Sequence, residues 1–435
     1  MRKDDGPITF SVIGLGGRGS VYLNALEESF KGNYTLAAIA EPAKLKQVWI
    51  KEKYNLPENR IFDTDEAFLE QERISDVVIV STQDKLHKSE VIKLLDKGYD
   101  IILEKPISTN LDDVVEIYGH AKKHPRQIVV VCHVLRYTLF FNTIKNIIES
   151  REIGDVMTIA HNENIGYYHF AHSYVRGSWN NSAVSAPLIV TKSCHDMDIL
   201  LYLLGGKHAK RVSSFGELSY FNKKNFDGDK MADYCVDCKV ENDCPYSAMK
   251  IYRGNKIKSV VFDLSDMKKI RKNLGSSRFG RCVFHCDNNV VDHQSTIIEF
   301  DNGITAAFSL SAFTAKVNRT LKVTCERGEI RAAEKPYVVE VSNFLTGETR
   351  KIDLNITESG HGGGDKRFIA DFMRAYQNGE MFASTLEQSI ESHVMAFLAE
   401  KSRTEGGIPQ TVSGHYIKTL IKTPVKNSAS NGFEG

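Results

Sequence analysis

Gly14-Leu15-Gly16-Gly17-Arg18-Gly19 spaces its glycines as G-x-G-x-x-G directly behind the apolar run Ile8 to Ile13. Tyr22, Leu26 and Phe30 follow on one helical face. Glycine there permits a tight turn and close backbone approach, so a pyrophosphate can rest on free N–H groups at the positive end of a helix. A simple glycine turn between strand and helix is the alternative; strand, helix and a downstream acid together favour a dinucleotide. That acid is Glu41, closing the second apolar run in Ala38-Ile39-Ala40-Glu41-Pro42. A carboxylate accepts hydrogen bonds from ribose hydroxyls and repels a 2′-phosphate, which favours NAD over NADP. Lys44 or Arg18 could still accommodate the phosphate, and a solvated loop carboxylate is the plainer reading of Glu41.

Two further residues have types suited to moving a proton. Lys105 ends the run Asp100 to Leu103 in Leu103-Glu104-Lys105-Pro106. At the carboxyl end of a parallel strand, an ammonium can hold a substrate hydroxyl and stabilise a developing alkoxide. His195 follows Pro187-Leu188-Ile189-Val190 and shares a helical face with Thr191, Asp198 and Tyr202. Imidazole suits removal of a hydroxyl proton near neutral pH. A surface lysine before proline and a packed core histidine are the structural alternatives.

The stretch 167–180 mixes rings with hydrogen-bonding groups, as a sugar site requires, and His172, Arg176 and Trp179 are its candidates. Aromatics wedging a long loop onto a sheet explain it equally well. His361-Gly362-Gly363-Gly364-Asp365 opens another helix and could bring His361 to the substrate, or serve as a turn. Cys235, Cys238 and Cys244 lie in a polar insertion, with Cys282 and Cys286 some forty residues on. Four thiolates from Cys235, Cys238, Cys244 and Cys282, with Cys286 as the alternate, could hold a structural zinc; reduced thiols without metal are the rival. The spacing misses the ferredoxin run, which disfavours an iron–sulfur cluster.

These residues need a scaffold. The chain has 435 residues, 42% hydrophobic and 26% charged, with a net charge of +1. That composition suits a large buried core and gives no broad basic footprint for nucleic acid. The N-terminus has no apolar run behind its charges, and no segment suits a membrane span, so a cytoplasmic location is expected. Runs at Ile8 to Ile13, Thr35 to Ile39, Asp76 to Val80, Asp100 to Leu103 and Ile128 to Cys132 predict a parallel sheet. Helical patterns at Leu86 to Asp96 and Leu111 to Lys123 would cover it. After Arg136 come a helix at Leu139 to Ser150, a strand at Asp155 to Asn162 and a loop at Gly166 to Asn181. Alternating runs at Ser295 to Phe300, Ile304 to Leu310 and Leu321 to Cys325 predict antiparallel strands, and Asp365 to Tyr376 and Leu386 to Arg403 predict helices. The fold class is α/β: a Rossmann-like doubly wound parallel sheet, then an α+β domain on an open, largely antiparallel sheet. Residues 1–135 would bind dinucleotide, and 136–421 would bind substrate and carry a Cys-rich insertion near 229–290, before a polar tail at 422–435.

Leu103-Glu104-Lys105-Pro106 resembles a motif of the Gfo/Idh/MocA family of sugar and polyol oxidoreductases. Ser81-Thr82-Gln83-Asp84 with His87, Gly98 to Ile102, Arg136-Tyr137, Ile153 to Val156 and Cys194-His195-Asp196-Met197-Asp198 match in order, across most of the chain. The resemblance implies catalysis by Lys105 and His195, cofactor contacts at Gly14, Gly16, Gly17, Arg18, Gly19, Glu41, Thr82, His87 and Glu104, and Arg136 at the substrate. It also implies homo-oligomers through the second domain's sheet. Where many members carry an aspartate four residues before the histidine, this chain has Thr191, then Lys192, a second cation for a different or acidic substrate. Hydride transfer between NAD(H) and a sugar or polyol is therefore expected. The alternatives are a redox-neutral elimination or epimerisation that retains NAD, and a non-catalytic regulator binding NAD or sugar.

Overall fold

The computed structural model describes residues 6–253, 257, 266–358 and 361–412. Six strands form the first sheet: β1 (Ile8–Ile13), β2 (Tyr34–Ala40), β3 (Ile61–Phe62), β4 (Val77–Val80), β5 (Asp100–Leu103) and β6 (Val129–Val131). All pair in parallel, in the order β3-β2-β1-β4-β5-β6. The order reverses between β1 and β4, and ligands of such sheets bind beyond the carboxyl ends at that switch. Every residue of β4 is buried, as a strand covered on both faces must be. The runs Ile8 to Ile13 and Asp100 to Leu103 coincide with β1 and β5, and the other strands expected in this sheet differ by one residue at one or both ends. β3 was not expected, because two residues are too short to show a period.

Nine strands form the second sheet: β7 (Val156–Asn164), β8 (Ala209–Glu217), β9 (His293–Phe300), β10 (Thr305–Ser311), β11 (Asn318–Cys325), β12 (Gly328–Ala333), β13 (Val338–Asn343), β14 (Thr349–Asp353) and β15 (Gln410–Thr411). Their order is β14-β13-β12-β11-β7-β10-β9-β8-β15, antiparallel throughout the described residues except for β7 beside β10. Alternate residues face inward, and on β7 and β11 these include His161, Glu163 and Arg319. The helix Cys194–Leu204 packs over them and sends Asp196 down: Arg319 and His161 donate to its Oδ1 at 2.7 and 2.8 Å. This buried ionic knot fixes the helix that carries His195.

The helix Gly364–Asn378 returns to the first sheet, where Phe372 meets Phe10 at 6.2 Å and Phe368 meets Tyr22 at 5.8 Å. The stretch expected to be a loop instead forms a helical turn at Tyr167–Phe170 and a wide turn at Ala171–Arg176. Its mixed rings and polar groups hide any helical stripe, so tertiary contacts decide its form. The expected tail at 422–435 lies outside the described residues. No helix among the described residues is long and apolar enough to cross a membrane.

Candidate active site

The glycine loop shows which of its positions serve the fold and which leave room for a ligand. A Cβ on Gly14, whose φ is +85°, would lie 2.7 Å from the Ser81 carbonyl oxygen, and one on Gly19 would lie 2.2 Å from that of Gly14. Gly16 and Gly17 instead face open space. The helix Gly17–Ser29 that they open has no acidic residue in its first turn and no side chain capping its N-terminus. Its positive end therefore fits a pyrophosphate. Gly19→Ala is expected to destabilise the protein by ~2 kcal/mol through overpacking. Gly17→Ala should instead keep the melting temperature and weaken NAD binding at least ~10-fold, about 1.4 kcal/mol, in calorimetry.

Glu41 closes the loop from below. Its carboxylate accepts from the backbone N–H groups of Leu15 at 2.8 Å and Ala43 at 3.0 Å, and Lys46 stands 3.6 Å away. It thus braces the glycine turn from the adenosine side of the cleft. Thr82, after β4, donates at 2.6 Å to Glu90, whose carboxyl is pushed up to about 8 chiefly by burial.

The remaining expected cofactor contacts, Arg18, His87 and Glu104, also hold partners within the chain. His87 donates through Nδ1 to the Pro106 carbonyl at 2.9 Å, while His393 accepts the Ile107 N–H at 3.0 Å. Two imidazoles therefore clamp the segment just after Lys105. Glu104 accepts from Arg18 Nε at 2.6 Å, the Tyr22 hydroxyl at 2.5 Å and the Lys105 N–H at 2.9 Å. Burial opposes its charge, but Arg18 and Lys105 outweigh it and hold the carboxyl below its usual range. Arg18 also reaches Asp365 at 2.6 Å, so it ties the glycine loop to the helix Gly364–Asn378.

Lys105 Nζ donates to the Thr191 carbonyl at 2.8 Å. That carbonyl lies one helical turn before His195, which is 4% exposed. Burial, then the Lys105 ammonium, then His133 and His361 all hold the His195 ring well below its ordinary pKa. The ring is thus neutral, its Nδ1 lacks a hydrogen-bond partner among the described residues, and an ammonium stands close by. His133 and His361 approach it at ring-centre distances of 5.7 and 5.9 Å. His361 in turn faces Asp365 at 3.2 Å. His133 went unnoticed in the sequence, although its place just past β6 puts it at the ligand-binding edge of the sheet.

Several residues expected at the substrate have partners within the chain. Arg136 forms a buried two-pronged pair with Asp198 at 2.7 and 2.6 Å and donates to the Ala383 carbonyl, so it braces the His195 helix. His172 shares a 2.7 Å hydrogen bond with the Tyr252 hydroxyl and stacks on Phe279, which turns it into the insertion. Arg176 is buried among the cysteines. Lys192 is paired with Glu163 at 3.0 Å. The Thr191 hydroxyl faces backbone carbonyls at 3.4 Å. Trp179 is 38% exposed, and its indole N–H reaches Asp84 at 3.2 Å. A cleft of about 470 Å³ opens there, between Gln83 to Lys85 and Asn180, Asn181 and Ser185.

A doubly wound sheet with an open glycine cradle, joined to a second sheet whose helix lays an imidazole beside a strand-end lysine, defines a two-domain oxidoreductase. The chain belongs to the Gfo/Idh/MocA oxidoreductase family: residues 8–133 match its NAD-binding Rossmann fold and residues 145–412 its C-terminal alpha/beta domain. YteT of Bacillus subtilis is 26% identical over 374 residues, 81% of this chain and 85% of that protein. An inositol 2-dehydrogenase/D-chiro-inositol 3-dehydrogenase of Halalkalibacterium halodurans is 24% identical over 48% of this chain and 56% of its own length. Levoglucosan dehydrogenase, solved with NADH and levoglucosan, shares the fold with a TM-score of 0.69 at 14% identity, over 93% of this chain and 99% of its own.

Proposed function

We propose that the protein oxidises a carbinol carbon of a sugar, polyol or related cyclic alcohol with NAD, Lys105 and His195 acting on the same hydroxyl. The observation that carries this reading is the meeting of a neutral, buried His195 with the Lys105 ammonium beyond the carboxyl end of β5. Gly16 and Gly17 would hold NAD, which would supply the acceptor for the hydride of that carbon. Lys105 holds the hydroxyl oxygen and stabilises the alkoxide as it forms. His195 takes the hydroxyl proton, and a ring held neutral by its surroundings is in the right state to do so. Gly16 and Gly17 leave room for the pyrophosphate, and Glu41 at the end of β2 favours NAD over NADP. Trp179 offers its indole face to the apolar side of a sugar ring at the cleft. Copies of the chain associate through the outward face of the nine-stranded sheet, where Phe215 and Ile297 are exposed.

A panel of sugars, polyols and their oxidised forms, assayed with the purified protein and NAD, tests the proposal. Stoichiometric NADH formation with one class supports it. Turnover without net NADH would instead select the redox-neutral reading, and binding without turnover the regulatory one.

A further inference from the structure

The insertion brings four of its five cysteines around one small closed hollow. Cys235, Cys238, Cys244 and Cys282 line a cavity of about 20 Å³ together with apolar groups such as Met231 and Val283, with Arg176, and with Glu241, whose carboxylate accepts from the Ser247 hydroxyl at 2.7 Å. That is room for one ion or one water, not for a cluster of several atoms. Cys286 is excluded, because its thiol turns back to donate to the Cys282 carbonyl at 3.2 Å. The two cysteine-bearing segments are stitched together by the Cys282 N–H on the Asp233 carbonyl at 2.8 Å.

Arg176 provides an independent observation. It is 1% exposed. Its guanidinium donates to the carbonyls of Arg281 at 2.7 Å and Tyr246 at 2.8 Å, and lies 3.5 Å from Cys235 Sγ. Among the described residues no carboxylate pairs with it, and its Nη1 has no hydrogen-bond partner. A buried cation without a counter-charge is costly. Neutral thiols cannot balance it. Four thiolates around Zn²⁺ carry a net charge of −2, and their formation releases four protons as the metal enters.

We propose that Cys235, Cys238, Cys244 and Cys282 bind one zinc ion, with Arg176 as the buried counter-charge to the metal–thiolate centre. No three cysteine sulfurs among the described residues lie within 4.8 Å of one another, so zinc, with sulfurs ~3.8 Å apart, draws them inward. The site stakes down the segment leading to the cleft: Arg278 holds the carbonyls of both Arg176 and Gly177 at 2.5 Å, two residues before Trp179. The centre is structural, and it acts on the proposed active site only by fixing where Trp179 stands.

Elemental analysis of the whole protein, purified without chelator, is expected to give about one zinc per chain, with an X-ray absorption shell of sulfur at ~2.3 Å. Cys282→Ser should lose most of that zinc, and Cys286→Ser should keep it. If Cys282→Ser does not fold, mercurial titration of the native protein decides: zinc should be released as about four thiols react. A zinc content below about a fifth of an equivalent, a shell of nitrogen and oxygen, iron in place of zinc, or equal loss in both variants would overturn the proposal. The nitrogen–oxygen shell would point instead to the surface trio of Asp96, His120 and His124, whose ligand atoms lie within 4.8 Å of one another.

Discussion

His195→Ala is expected to lower kcat/KM by ~10²- to 10⁴-fold on whichever alcohol the protein oxidises, the range that a positioned proton acceptor contributes. NAD affinity should hold, since the ring neighbours of His195 are His133 and His361 rather than the glycine loop. Lys105→Met should fall at least as far, because it removes the charge that steadies the alkoxide. The double variant should be little worse than either single one, as groups acting on one oxygen are strongly non-additive. The pH profile separates the roles. A ring held below its ordinary pKa is deprotonated across the neutral range, so the acidic limb belongs to His195 and should vanish in His195→Ala alone. An unchanged rate in His195→Ala would remove it from the chemistry.

The largest loss of stability is expected from Asp196→Ala. Asp196 is fully buried, with Arg319 and His161 on its Oδ1, and Arg319 also pairs with Glu163 at 2.7 Å. Removing the carboxylate leaves the guanidinium short of a partner in a dry sheet face, and breaking a buried pair from one side costs ~3–5 kcal/mol. Burial would raise the Asp196 pKa, but Arg319 and His161 outweigh it and depress the carboxyl well below its usual range. A depressed acid contributes stability above its unfolded pKa of about 3.9, and that stability is lost as pH falls towards the folded value. Urea melts of wild type and Asp196→Ala should therefore differ most at neutral pH and converge in acid. A constant difference from neutral pH down to strong acid would contradict the ionic account.

The scaffold was legible because its signals are local. Ile8 to Ile13 and Asp100 to Leu103 are unbroken apolar runs, and a strand covered on both faces allows little else. Lys105 and His195 were singled out by the resemblance of their motifs to the family, since position alone reads equally as a surface lysine before proline and a packed core histidine. The cations expected at the substrate share one physical property: each meets a partner well removed along the chain. Arg136 meets Asp198, Lys192 meets Glu163, and Arg176 meets a carbonyl more than a hundred residues away. A cation reads the same in sequence whether it awaits a ligand or a buried neighbour. His133 was missed for the converse reason, since nothing in its own neighbourhood distinguishes it and only the fold sets its ring beside His195.

The helix Gly364–Asn378 is encoded near the far end of the chain, yet Phe368 and Phe372 cover rings that belong to the first thirty residues. During synthesis the nucleotide-binding half therefore leaves the ribosome with one flank bare. It gains that cover only after more than two hundred further residues have emerged. Maturation of the first half waits on the last third of translation, and a shortened message would yield an uncovered, sticky sheet rather than a small working module.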